Sequence, residues 1–368
     1  MYMNKLKKMP VRYPINATLE LTLRCNLKCK MCMFRHGDEA DSRLMKGELS
    51  SAQWEDLIKE MFDAGVLNIL ITGGEPLLRK DFCEIYESMY RRGFIITVYT
   101  NATLITEKVM ETFRRCPPHR IGITLYGASN ETYERLCGSR DGFDRAIEGA
   151  RTLSTLPSEI EFRTTVVKDN RHETKAVSDI IKQEFDLPVT HSTTVFQGVR
   201  GGCMPIAECR LSPEENVDLL VERTLERVRE LFPPERRDQI GLKPIDAKQY
   251  CASEKNKFTL LGCQGGMNSF TITWDGKLLG CQMLDCFSTD AVKNGFLRAW
   301  EEWPNTVHLP EVDPTCTACP YITFCQVCPA VRMAECGNLS GRPEYVCQIT
   351  KVLLSDRRGN NEKDLQKS

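Results

Sequence analysis

Over the first two thirds of the chain, apolar and β-branched runs alternate with stretches of helical periodicity. The runs fall at Thr18–Arg24, Leu67–Thr72, Phe94–Thr100, Arg120–Tyr126, Ile160–Val167 and Val189–Phe196, and each reads as a strand. Between them, apolar residues recur at three- and four-residue spacing over Ser51–Ala64, Lys80–Arg92, Thr106–Arg115, Phe143–Leu153 and Glu173–Phe185, the spacing of a helix with one buried stripe. Ser50 supplies an N-cap for the first of these helices, and Gly65 a stop. Strands alternating with such helices predict a parallel sheet with right-handed crossovers. Six units are too few to close an eightfold barrel. The expected fold is therefore α/β, a partial (β/α)6 barrel with its active site at the carboxyl ends of the strands.

A further helix is expected from Pro213 to about Leu231, capped by Ser212 and ended by Pro233 and Pro234. It divides the chain into a lead (1–16), an α/β core (17–200), a bridging helical segment (201–249), a Cys-rich domain (250–350) and a charged tail (351–368) expected to be disordered.

Charge and composition narrow the functions open to this fold. The 368 residues carry 49 Lys and Arg against 50 Asp and Glu, a balance without the basic excess that nucleic acid or an anionic membrane attracts. No run approaches the roughly 18 apolar residues of a membrane span, and no signal peptide is expected, because polar and apolar residues alternate after the basic N-terminus. The expected location is cytoplasmic. There thiols stay reduced, so the 18 Cys, eight of them between Cys251 and Cys328, point to metal before disulfide.

The first strand runs into Cys25-Asn-Leu-Lys-Cys29-Lys-Met-Cys32, a C-x3-C-x2-C triplet. Three thiolates so close in sequence can wrap one face of a metal site. An iron–sulfur cube takes four ligands, so three Cys leave one iron open; a structural zinc site closed by His36 is the alternative. Gly73-Gly74-Glu75-Pro76 follows the second strand, Thr100-Asn101 the third, and Thr124-Leu125-Tyr126-Gly127 the fourth, with Arg135 eleven residues after Thr124.

With these motifs in this order, the chain resembles the radical S-adenosylmethionine (SAM) superfamily from Leu19 to Lys168. The resemblance implies that Cys25, Cys29 and Cys32 hold a [4Fe-4S] cluster whose open iron chelates SAM. One electron from it then splits SAM into methionine and a 5′-deoxyadenosyl radical. It also implies SAM contacts from Gly73, Gly74 and Glu75 to the methionyl ammonium, from Asn101 at the ligand-facing edge, and from Thr124 and Arg135 to the carboxylate. Met31 stands where an aromatic residue often covers the adenine, and a flexible thioether can cover the same face.

Downstream lies a longer pattern: Cys263, Gly276, Cys281, then Cys316-x2-Cys319-x5-Cys325-x2-Cys328, and Cys347. Asp275-Gly276 between apolar runs is a hairpin signal, and the hairpin would bring Cys263 and Cys281 together. Paired zinc knuckles share the C-x2-C spacing. The whole pattern resembles the SPASM extension of radical SAM enzymes, with x2 in place of x3 between Cys325 and Cys328. That resemblance implies two auxiliary [4Fe-4S] clusters, one on Cys263, Cys281 and Cys328, with Cys251 the candidate fourth ligand, the other on Cys316, Cys319, Cys325 and Cys347. Seven Cys remain outside these sets: Cys83, Cys116, Cys137, Cys203, Cys209, Cys286 and Cys336.

SPASM members mostly modify peptides, so the expected activity is oxidative modification of a ribosomally made peptide, such as a crosslink or thioether. A small metabolite or cofactor precursor is the alternative substrate; a sulfatase maturase or a non-enzymatic iron–sulfur or zinc protein ranks lower. Gln282, where formylglycine-forming maturases carry Asp, argues against the maturase. About sixteen residues precede the first strand, so leader recognition is expected from a separate protein or from the barrel itself. The reaction implies an electron donor such as flavodoxin or ferredoxin.

Overall fold

The computed structural model describes residues 11–36, 41–199, 202, 206–231, 259–322, 324, 325 and 327–354. Cys251, Cys203 and the charged tail lie outside the described residues. Two compact units are formed, one from 1–210 and 258–308, the other from 211–257 and 309–368. These units part the Cys-rich segment at His308.

The first unit is the α/β body. Its strands are β1 (Asn16–Thr22), β2 (Asn68–Gly73), β3 (Ile95–Thr100), β4 (Arg120–Thr124), β5 (Glu159–Thr165) and β6 (Val189–Ser192), all parallel to their neighbours. Helices α1 (Asp41–Gly47), α2 (Ser51–Asp63), α3 (Phe82–Arg91), α4 (Glu107–Arg115), α5 (Asn130–Cys137), α6 (Gly142–Leu153) and α7 (Thr174–Phe185) fill the connections. The expected partial barrel is present. It is extended past β1 by β7 (Ser269–Ile272), β8 (Lys277–Leu279) and β9 (Ser288–Asp290), in the order β6-β5-β4-β3-β2-β1-β7-β8-β9.

Alternation gives the sheet two unlike faces. Leu19, Leu21, Ile69, Ile71, Val98, Ile121, Ile123 and Phe162 are fully buried on one of them. The other carries Thr18, Glu20, Thr22, Thr72, Tyr99, Thr124, Arg163 and Thr165. An apolar outer layer and a polar inner one are what a barrel needs if its inside is to receive a ligand.

Local chemistry explains the helix ends. Ser50 Oγ accepts from Gln53 N at 3.3 Å and Gln53 Oε1 accepts from Ser50 N at 3.0 Å, a reciprocal cap for α2. Helix α5, which was not among the expected helices, has eight residues; Ser129 caps it, and Gly138 ends it at φ +67°. The Asp275-Gly276 hairpin forms as expected, β7 against β8, with Gly276 at φ +86°. Beneath it Trp303 is fully buried against Gly266 and Gly280 and donates from Nε1 to Phe287 O at 2.8 Å.

In the second unit, helix Pro213–Leu231 packs on helix Glu344–Leu354. Tyr345 Oη ties the two, donating to Leu211 O at 2.8 Å and accepting from Asn216 Nδ2 at 3.4 Å. Among the described residues, no helix is long and apolar enough to cross a membrane.

Candidate active site

At the carboxyl ends of the parallel strands lies a cavity of about 530 Å³, lined by residues of the loop after β1 and of all the strand ends from β2 to β6. The loop after β1 is held from two sides. Lys28 N and Lys30 N donate to Cys137 O (2.7 Å) and Leu136 O (2.9 Å), so the triplet rests on the C-terminal end of α5. Leu23, Phe34 and Leu44 form a small buried cluster with Cys32 and Met33 packed on it.

Cys25, Cys29, Cys32, Met31, Gly73, Gly74, Asn101 and Thr124 all line this cavity. Leu27 N donates to Cys25 Sγ at 3.4 Å and Asn101 Nδ2 at 3.8 Å, so two N–H donors aim at one sulfur. Burial, Glu75 and the neighbouring Cys push the Cys25 thiol up. A contact with Cys137 and burial do the same at Cys29. Burial and Cys29 push Cys32 up to about 12. Three crowded, desolvated sulfurs cannot all be thiolates unless positive charge lies among them. A cluster of irons supplies that charge, so the donor set fits an iron–sulfur group. Among the described residues, no three His, Cys, Asp or Glu side chains gather tightly enough for a single metal ion. Thiolates on separate irons of a cube stand wider apart.

Two expected residues stand behind the lining. Glu75 is 1% exposed; its carboxylate accepts from Asn101 N (2.8 Å), Thr100 Oγ1 (2.9 Å) and Leu77 N (3.1 Å), tying the end of β2 to the end of β3. Burial pushes this carboxyl up to about 7. Arg135 is exposed on α5 and donates to Asp169 O (2.9 Å) and Thr132 Oγ1 (3.0 Å). Gly73 and Gly74 have a second reason to be glycine. A Cβ on either would sit 2.1 Å from Thr22 O or Arg24 O, because Gly74 N donates to Thr22 O and Glu75 N to Arg24 O.

Beneath the β1 loop, Glu48 receives Arg24 Nε at 2.8 Å and Nη2 at 3.0 Å. Arg79 donates to Leu21 O and Leu49 O, both at 2.9 Å, and grips Asp81. Tyr99, Thr165, Ser192 and Lys28, which had no role expected from the sequence, also line the cavity, as does Tyr126 of the motif after the fourth strand. Alternation within β3 and β5 was the available signal for Tyr99 and Thr165.

The Cys of the downstream segment divide between the two units. In the first unit, Gly265 packs on Gly280 O, which sets Cys263 and Cys281 at the same end of the hairpin. Gln282 Nε2 donates to Glu20 Oε1 of β1 at 2.8 Å. In the second unit, Cys316 is buried and accepts from the buried Arg332 Nη1 at 3.5 Å. Cys336 lies within electrostatic reach of Cys316 and Cys347.

Residues 19–180 match the Radical SAM superfamily. A curated relative, the AdoMet-dependent heme synthase of Methanosarcina barkeri, is 26% identical over 89% of this chain and 94% of its own length. The PqqA peptide cyclase of Bradyrhizobium diazoefficiens is 23% identical over 80% of this chain and 73% of its own. Among solved structures, Streptococcus suis SuiB bound to precursor peptide SuiA covers 94% of this chain and 79% of its own, with a TM-score of 0.64 at 17% identity. That likeness concerns the fold. The domain match over residues 19–180 and the curated relatives together show that the chain is an enzyme that carries a radical SAM domain and has homologues among SPASM-type maturases.

Proposed function

We propose that the chain reductively cleaves SAM and oxidatively modifies a ribosomally made peptide. The observation that carries the reading is the convergence of the Cys triplet, Met31, Gly73, Gly74, Asn101 and Thr124 on one cavity at the strand ends. Cys25, Cys29 and Cys32 would hold a four-iron cluster, which would supply the electron that splits SAM into methionine and the hydrogen-abstracting 5′-deoxyadenosyl radical. The protein's own residues do the positioning. Asn101 and the Leu27 N–H hold the Cys25 sulfur. Glu75 fixes Asn101 from behind, and the Leu23–Phe34–Leu44 cluster keeps water from the loop. Thr124 offers a hydroxyl to the SAM carboxylate. Cys263, Cys281, Cys316, Cys319, Cys325, Cys328 and Cys347 would hold two auxiliary clusters, which would supply a sink for the electron of a net oxidation. An external donor such as flavodoxin or ferredoxin reduces the first cluster. A peptide substrate is supported by the peptide cyclase relative and by SuiB, solved with its precursor peptide.

A second reading, a tetrapyrrole or other cofactor precursor as substrate, is favoured by one observation. The heme synthase relative matches 89% of this chain. The test is anaerobic incubation of the reduced, reconstituted protein with SAM and, separately, a peptide encoded beside its gene or Fe-coproporphyrin III. Formation of 5′-deoxyadenosine supports the radical reading, and a mass change in one substrate selects between the two. An intact, reduced first cluster with no 5′-deoxyadenosine overturns both.

A further inference from the structure

Strand register builds a second constellation on the face that carries the cavity. Tyr99 of β3 pairs with Gly122 of β4, and Gly122 pairs with Glu161 of β5. The Tyr99 ring takes the space a side chain at 122 would fill; a Cβ there would come within 2.5 Å of its Cδ1. The ring thereby lies across β4 and reaches β5, where Arg163 Cζ stands 4.5 Å from its centroid. Arg163 is in register with Thr124, and two residues on, Thr165 pairs with Ser192 of β6. Tyr99, Thr124, Thr165 and Ser192 all line the cavity, and Arg163, outside that lining, stands against the Tyr99 ring. Alternation puts Arg163 on the same face as Thr165.

The charge of the lining is one-sided. Its ionisable side chains, besides the Cys and the two Tyr, are Lys28, Arg35 and His36; no Asp or Glu among the described residues lines it. The ion-pair partner of Arg163 is Glu161 at 3.7 Å, longer than a hydrogen bond. The Arg163 side chain keeps 36% of its exposure. Stacking on an aromatic ring uses the flat face of a guanidinium and leaves its in-plane N–H donors for another partner. Such an arginine, braced by a ring and flanked by hydroxyls, is suited to a planar carboxylate, which it can grip with two parallel hydrogen bonds.

We infer that Arg163, braced by Tyr99, anchors a carboxylate of the substrate, and that Gly122 is what lets the pair form. The substrate is then an organic acid, its carboxylate carried on a peptide or on a small-molecule frame. The inference rests on the proposed reading of this cavity as the reaction chamber.

The test measures equilibrium binding to the full-length, reconstituted protein in the presence of SAM. One probe pair is coproporphyrin III and its tetraamide; the other is a Glu-containing decapeptide, amidated at its C-terminus, and its Gln counterpart. At least one acid is expected to bind tenfold or more tightly than its amide, and which one identifies the frame. Arg163→Gln is expected to cut that preference below threefold, Arg163→Lys to keep part of it, and Gly122→Ala to weaken it by displacing the ring. Iron content reports whether each variant has folded and loaded. No preference for either acid in the unmodified protein, or a preference that survives Arg163→Gln, overturns the inference. Formation of 5′-deoxyadenosine by the unmodified protein, followed in parallel, tests the enzymatic reading separately.

Discussion

Asn101 reaches Cys25 with its side chain and Glu75 with its backbone: Nδ2 donates to Cys25 Sγ at 3.8 Å, and N donates to Glu75 Oε2 at 2.8 Å. The same amide also donates to Asn26 Oδ1 at 3.0 Å, so one residue orients the start of the Cys loop. A donor to a cluster thiolate stabilises the more negative, reduced state. Asn101→Ala is therefore expected to shift the first cluster's midpoint potential to more negative values. It should also slow 5′-deoxyadenosine formation about tenfold. A redox titration followed by electron paramagnetic resonance checks the first, and product chromatography the second.

The backbone at Gly73 sits at φ +131°, and a Cβ there would meet Thr22 O at 2.1 Å. Gly73→Ala combines a strained dihedral with a backbone clash, and a loss on the order of 3 kcal/mol is expected. A large fall in the thermal midpoint of the metal-free protein, measured by circular dichroism, is the readout. An unchanged midpoint would mean that β2 does not end as described.

The carboxyl of Glu75 titrates near 7 in the fold against an ordinary 4.5, because burial disfavours its charged form. A carboxyl raised in this way stabilises the fold fully below about pH 4.5, and that stability is lost as pH rises through about 7. Glu75→Gln cannot ionise. Its stability relative to the unmodified protein should rise between pH 5 and 8, by on the order of 3 kcal/mol. Denaturant melts of the metal-free proteins at several pH values would reveal a flat difference if the carboxyl is not so placed.

Arg332 is 6% exposed and donates to Cys316 Sγ at 3.5 Å and to Gly341 O. Removing it leaves the sulfur and the carbonyl without that donor in a buried place, which costs about 1–3 kcal/mol for each lost partner. If the chain holds the two proposed auxiliary clusters, Arg332→Met is expected to lower the iron content by up to about four per chain while the first cluster stays intact. Cys316→Ala should do the same, whereas Cys25→Ala should abolish SAM cleavage. Iron and sulfide assays beside 5′-deoxyadenosine measurements separate these outcomes.

The alternation of apolar runs and amphipathic stretches located all six parallel strands within a few residues, because buried strands and one-sided helices leave strong periodic signals. The Cys triplet was equally legible, since its ligands are contiguous and follow a strand. What escaped depends on register. That Tyr99 lies over Gly122 and meets Arg163 follows from which residues pair across β3, β4 and β5, and a single chain read in order carries no such pairing. Helix α5 escaped because eight residues hold barely two turns of pattern, although its role in seating Lys28 and Lys30 is direct. Gly73 and Gly74 were expected to contact SAM, and the space a side chain would need at either is taken by the backbone of Thr22 or Arg24.

Strand β1 is hydrogen-bonded on both edges, to β2 and to β7. The Cys triplet leaves its far end, while the hairpin bearing Cys263 and Cys281 rides along its flank, latched by Gln282 to Glu20. Strand rise, about 3.3 Å per residue, therefore acts as a ruler between the two groups of sulfurs. Deleting one residue from β1 would shorten that ruler and also turn Glu20 to the opposite face, away from Gln282. The spacing of the two groups of Cys is thereby tied to the seven residues of β1.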